Sequence, residues 1–277
     1  MRKIIVLLIV ITLYSVDSMG ATFKKNPEKK SRISRKYKTK EAKYQAAKTY
    51  YAKGAYLSAA QLFEEVYPLY MSNPEGDTIL FLFADSYMKN ADYLMGAFHF
   101  RDYIRRYPQS PRAEEASFMI ARCYYLNSPP YNLDQSDSHL AIESLETFID
   151  VYPKSSFVEV ANSMIDTLQT KLAKKDFNIA LMYYNTENYK SALICFNNLL
   201  KDYPGTIYTE EALYYLTKNC YEYAQKSVES KKVERYQMAI DYCIRLRALK
   251  ADSKFLQETE KMMEEAIKKR NKILENK

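Results

Sequence analysis

From residue 41 onward the apolar positions recur in a fixed frame. A small residue stands at Ala59, Gly96, Ala141, Ala192 and Ala239. Four residues after each come Phe63, Phe100, Leu145, Phe196 and Cys243, and seven after come Val66, Tyr103, Phe148, Leu199 and Leu246. Offsets of four and seven place side chains on one face of an α-helix, whereas a strand would show alternation. The small residue lets a second helix approach closely. Upstream of each frame lies a doublet, Tyr50–Tyr51, Tyr87–Met88, Tyr124–Tyr125 and Tyr183–Tyr184, which belongs on a preceding helix. Each unit is therefore a helix–turn–helix that cannot bury its apolar face alone, so neighbours must stack to complete a core. The expected fold is all-α, a solenoid of about five helix pairs.

A second spacing confirms the register. Tyr107-Pro108-Gln109-Ser110, Tyr152-Pro153-Lys154-Ser155 and Tyr203-Pro204-Gly205-Thr206 share the pattern Y-P-x-S/T, and an alanine follows each proline by eight residues, at Ala116, Ala161 and Ala212. Proline ends one pair. Acidic residues before the alanine, Glu114-Glu115 and Glu210-Glu211, suit the first turn of the next helix, where the dipole favours negative charge. These units resemble the tetratricopeptide repeat, and five fit at roughly 41–72, 77–108, 113–153, 157–204 and 209–251. Ser253–Lys277 is expected to form a capping helix with a polar outer face.

Three irregularities mark the array. The third repeat gains residues between Tyr125 and Ala141, and Ser128-Pro129-Pro130-Tyr131-Asn132-Leu133-Asp134-Gln135 reads as a loop. No Gly or Pro lies between Lys154 and Tyr203, so a helix over 157–185 could run about 40 Å at 1.5 Å per residue. The fifth repeat carries extra Lys, Glu and Ser around Ser227–Arg235.

The chain start has the layout of a secretory signal peptide over residues 1–21: Arg2 and Lys3, an apolar run from Ile4 to Leu13, then small residues at Ser15, Ser18, Gly20 and Ala21. A run of about ten residues is short of the roughly 20 needed to span a bilayer. Residues 22–40 read as a basic linker. The formal charge of +7 is concentrated there: residues 1–40 hold eleven Lys or Arg against Asp17 and Glu28, leaving residues 41–277 slightly negative. A nucleic-acid binder would place cations on a folded face, so no nucleic-acid partner is expected. The basic run reads as a solvated linker, or as a segment attracted to anionic headgroups. Cys123, Cys195, Cys220 and Cys243 read as small buried hydrophobes with no CxxC, the three disulfide pairings that export would permit being left open, and His99 and His139 each stand alone. No catalytic constellation, metal or cofactor is expected, and five glycines are too few for a phosphate-cradling loop.

The order of irregularities, the Y-P-x-S/T repeat ends and the signal peptide together resemble the BamD family of outer-membrane protein assembly factors over about residues 41–260. That resemblance implies a non-enzymatic subunit at the periplasmic face of the outer membrane. The N-terminal repeats (41–153) would receive unfolded outer-membrane protein segments, and the C-terminal part (154–277) would dock on a BamA-like barrel core subunit. Members of the family carry a lipobox cysteine, whereas Leu13-Tyr14-Ser15-Val16-Asp17-Ser18 has none. A lipid anchor is therefore not expected from these residues. Another periplasmic tetratricopeptide-repeat adaptor, or a regulator of an envelope enzyme, is the competing reading.

In stacked helical repeats the first helix of each pair lines the concave surface. Candidate partner-binding residues there are Tyr44, Lys48, Tyr51, Phe81, Asp85, Met88, Phe118, Arg122, Tyr125 and Tyr184, with Tyr131 from the loop. An extended peptide ending in an aromatic residue would want aromatic pockets and a cation for its carboxylate. Arg122 and Lys48 could supply that cation. Inter-repeat packing is the competing role for the aromatics.

Overall fold

The computed structural model describes residues 36–275. The signal peptide and most of the basic linker lie outside the described residues. Within them the chain is helical throughout: α1 (Lys40–Ala52), α2 (Tyr56–Tyr70), α3 (Glu75–Lys89), α4 (Tyr93–Arg106), α5 (Ala113–Asn127), α6 (Ser136–Val151), α7 (Val158–Asn185), α8 (Tyr189–Asp202), α9 (Thr209–Gln225), α10 (Glu229–Leu249) and α11 (Leu256–Glu275). Five antiparallel pairs follow one another, each packed on the next, and α11 closes the end against α10 and α9. No helix among the described residues is long and apolar enough to cross a membrane.

The repeat frame is the core. Ala59, Ala141, Ala192 and Ala239 are fully buried, as are Phe63, Phe100, Leu145, Phe196, Val66, Tyr103, Leu199 and Leu246, with Phe148 and Cys243 nearly so. Gly96 shows why the frame begins with a small residue. A Cβ there would stand 3.1 Å from the Met88 backbone nitrogen and 3.2 Å from Cys123 Sγ. Second helix, preceding helix and following repeat all meet at that point.

The Y-P-x-S/T ends build one recurring turn. Tyr107, Tyr152 and Tyr203 are the C-caps of α4, α6 and α8, with φ between −129° and −125° and ψ between 58° and 65°. The following proline bars its predecessor from the helical region, so the helix stops there. Each tyrosine N–H still bonds back four residues, to the carbonyls of Tyr103, Phe148 and Leu199. Ser110 and Ser155 then accept on Oγ from the amides of Arg112 and Phe157, at 3.2 and 3.1 Å. Ser253 does the same for Phe255 at 3.2 Å, so Lys250–Ser253 is a fourth copy of the turn in which alanine stands in the proline slot.

The irregularities become architecture. The long helix α7 spans 28 residues, about 42 Å, and serves two cores. Ala161, Ile165 and Leu168 belong to the apolar cluster that α1–α6 build. Phe177 and Ala180 belong to a second one shared with α8 and α9. The third-repeat loop lies on the stretch between them. Lys171 donates to Ser128 Oγ and, at 2.9 Å, to the Pro129 carbonyl, while Lys175 reaches the Leu133 carbonyl at 2.8 Å. Gln135, 4% exposed, ties the loop internally through the Pro130 and Leu133 carbonyls. The extra residues of the fifth repeat do not form a loop. They extend α10 at its N-terminus, giving a helix of 21 residues, as expected of a Lys- and Glu-rich run without Gly or Pro.

Candidate functional site

The first-helix face begins on α1. Tyr44, Lys48 and Tyr51 share one side of that helix at offsets of four and three. The Lys48 ammonium lies 4.9 Å from the Tyr44 ring centre, and that ring meets Tyr70 of α2 at 5.7 Å. Tyr51 donates its hydroxyl to the Asp85 carboxylate across to α3. Lys89, one turn after Asp85, pairs with that carboxylate at 2.9 Å and donates to the Tyr51 hydroxyl at 2.5 Å. Burial raises the Tyr51 pKa, and the bond to Asp85 adds to it. Burial works to lower the Lys89 pKa, but its bonds to Tyr51 and Asp85 outweigh that and leave it raised. Tyr51, Asp85 and Lys89 therefore form a closed clasp between the first two repeats, with Asp85 only 7% exposed.

Three aromatic or apolar candidates are interior. Phe81, Met88 and Phe118 are 5, 7 and 3% exposed. Phe81 packs edge-on to Phe100 and Tyr103, with the Arg112 guanidinium 4.4 Å from its ring centre. Phe118 stacks on Phe157 of the next repeat at 4.6 Å. Helical spacing put them on a binding face, yet in this fold they pack into the core, Phe81 and Met88 against the second helix of their own pair and Phe118 also on the next repeat. A first helix is flanked by neighbours on two sides, so only a narrow strip of it stays open.

That strip is where Arg122 and Tyr125 lie on α5. Arg122 occupies the slot that Asp85 fills one repeat earlier, three residues before the second doublet position. It is half-buried, and among the described residues its guanidinium makes no hydrogen bond or ion pair. Its charge is felt by the neighbouring Cys123 thiol, which burial nevertheless pushes up to about 12. Tyr125 is half-buried and packs against the N-terminal core.

Two candidates sit elsewhere. Tyr131 is held at the loop by the Lys174 ammonium, 4.4 Å from its ring centre, so it joins the loop to α7. Tyr184 on α7 donates to Glu222 Oε1 on α9 at 2.8 Å and meets the Tyr215 ring at 5.5 Å. Burial first, and the bond to Glu222 second, raise its pKa. This is a second bridge between first helices, built like the Tyr51–Asp85 clasp. A third joins Tyr221 on α9 to Glu265 on α11, with Lys269 donating to the tyrosine at 2.9 Å. Sequence reasoning missed Lys89, Glu222 and the loop-holding Lys171, Lys174 and Lys175. Lys89 was within reach, since it stands four residues after Asp85 on a helix. The others depend on which helices become neighbours.

Among the described residues no group of His, Cys, Asp and Glu is placed to hold a metal. His99 packs between aromatic rings, 4.2 Å from Phe83 and 5.2 Å from Tyr87.

A family model described as outer membrane lipoprotein, YfiO, matches residues 36–237, well over half of the chain. The outer membrane protein assembly factor BamD of Caulobacter vibrioides is 28% identical over 116 residues, covering 42% of this chain and 38% of that protein. BamD of Rickettsia prowazekii is 25% identical over 167 residues, covering 60% of this chain and 66% of its own length. The matched stretches thus span less than two thirds of either relative. A tetratricopeptide-repeat protein of Bacteroides fragilis aligns at 14% identity and a TM-score of 0.43, covering 82% of this chain and 97% of that one. With the helix pairs, repeat ends and long seventh helix in place, the chain belongs to the YfiO family of outer membrane lipoproteins, the BamD family that its irregular repeats resemble.

Proposed function

We propose that this chain is a non-enzymatic scaffold in outer membrane protein assembly, at the periplasmic face of that membrane. In this reading repeats one to three take up the C-terminal segment of unfolded barrel proteins, and repeats four and five dock on a BamA-like core subunit. Family membership and the assembly function of the relatives support this role. The observation that supports peptide capture is Arg122. A half-buried guanidinium without an ion pair, beside Tyr125 on the open strip of α5, is a ready partner for a carboxylate. The clasp of Tyr51, Asp85 and Lys89 fixes the first repeat against the second, one repeat before that strip.

A peptide ending in phenylalanine with a free carboxylate tests it. Arg122→Ala should weaken its binding on the order of tenfold, in line with about 1.5–3 kcal/mol for a hydrogen bond to a charged group less the exposure of the site. Capping the peptide as its amide should bring wild-type and variant together. Unchanged affinity for the free acid removes Arg122 from the site. Co-purification in mild detergent tests the docking half, and absence of a barrel core subunit from the eluate sinks it.

A further inference from the structure

The far end of the solenoid, where α10 begins and α11 finishes, carries a cationic cavity of about 450 Å³. Glu229, Lys232 and Tyr236 line it from α10, and Lys269, Lys272 and Ile273 line it from α11. Its carboxylate, Glu229, is engaged with Lys232 at 2.5 Å. Lys269 donates to the Tyr221 hydroxyl at 2.9 Å and lies 3.9 Å from Glu265. Lys272 makes no ion pair among the described residues, and Lys268 and Arg270 add charge beside it. Exposed apolar residues adjoin two of the lining residues in sequence. Val228, immediately before Glu229, is 69% exposed, and Leu274, immediately after Ile273, is 50% exposed.

A cavity lined by three lysines, with exposed aliphatic residues next to its lining in sequence, suits a headgroup layer. A protein-binding core would instead be a continuous apolar patch with cations at its rim. Here four of the six lining residues, Glu229, Lys232, Lys269 and Lys272, are charged. We propose that this end of the solenoid is a membrane-surface contact: the cavity takes the phosphate of anionic phospholipid headgroups while Val228 and Leu274 enter the interface. The contact uses no residue of the peptide strip and stands whether or not the assembly role holds.

Sedimentation with vesicles of phosphatidylcholine, with or without phosphatidylglycerol, tests the proposal on the full chain. The basic stretch near the chain start would be drawn to the same lipid. All measurements are therefore made in a background carrying Lys24, Lys25, Lys29 and Lys30→Gln. In that background the protein should partition to the phosphatidylglycerol vesicles and not to the neutral ones. Lys232→Gln with Lys272→Gln should lower the partition by about fivefold for each lysine, with an unchanged melting curve. Val228→Ser with Leu274→Ser should lower it again without altering its dependence on salt. Partition that ignores phosphatidylglycerol, or that survives the lysine pair, overturns the proposal. So does a lysine variant that keeps vesicle binding but loses affinity for polyglutamate, which would mark an acidic protein as the partner.

Discussion

The clasp between α1 and α3 allows a quantitative test of what holds the first repeat in place. Tyr51→Phe deletes the hydroxyl that bonds Asp85 and receives from Lys89, and leaves the ring against Tyr56 at 5.7 Å. A hydrogen bond to a charged acceptor contributes about 1.5–3 kcal/mol. Tyr51 is only half-buried and Lys89 still neutralises Asp85, so the loss falls below that range, at about 1 kcal/mol. Asp85→Ala is harsher, because it strips both the tyrosine hydroxyl and the lysine of their acceptor in a site only 7% exposed. Its cost should be about 2 kcal/mol. If the two act through one bond, the double variant costs about 1 kcal/mol less than the sum. A terminal repeat frays before the rest of a solenoid, so global melting would blur the effect. Amide hydrogen exchange on α1, at buried Ala46 and Ala47, reads the local opening instead. Exchange should quicken roughly fivefold in Tyr51→Phe, which is what about 1 kcal/mol amounts to. Additivity of the two substitutions to within about 0.5 kcal/mol would show that the clasp is a contact without energetic coupling and refute the reasoning.

Other expectations follow from the same geometry. Burial pushes the Cys123 and Cys220 thiols up to about 12 and leaves Cys195 the least enclosed of the four. Iodoacetamide followed by peptide mapping should therefore find Cys195 alkylated first, and Cys123 and Cys220 only on unfolding; early labelling of Cys123 would contradict the packing. Glu210 accepts from Ser253 at 2.7 Å and pairs with Lys250 at 3.0 Å, and these bonds hold its carboxyl below the ordinary 4.5. Its contribution to stability is thus complete above that ordinary value and lost as pH falls through the lower folded one. Glu210→Gln should flatten that part of the acid limb in melting temperature against pH, and an unchanged limb would count against the bond. At Gly76 a Cβ would come within 2.5 Å of the Tyr70 carbonyl oxygen, a backbone atom with no room to yield. Gly76→Ala should cost about 1–3 kcal/mol despite alanine's better helix propensity, and a stabilised variant in urea titration would show that the junction between α2 and α3 can open.

Five helix pairs, their register and their turns were legible along the chain because each rests on local rules. The offsets of four and seven are the helix period, and a proline stops a helix wherever it falls. The long α7 was legible for the same reason, as an uninterrupted run without Gly or Pro. Locality also explains the charged insertion before Arg235: it lacks any breaker, and it is helical from Glu229 onward. What the sequence could not settle was which side of a first helix stays open. Phe81, Met88 and Phe118 share a periodic face with Tyr51 and Arg122, yet packing across helices covers the first three and leaves Arg122 half-exposed. Nor could it pair Tyr51 with Asp85, Tyr184 with Glu222, or the loop at Ser128–Leu133 with lysines some forty residues away on α7. Those partners are set by how far one repeat is rotated against the next. That rotation arises from side chains meeting across helices, which no periodicity within a single helix encodes.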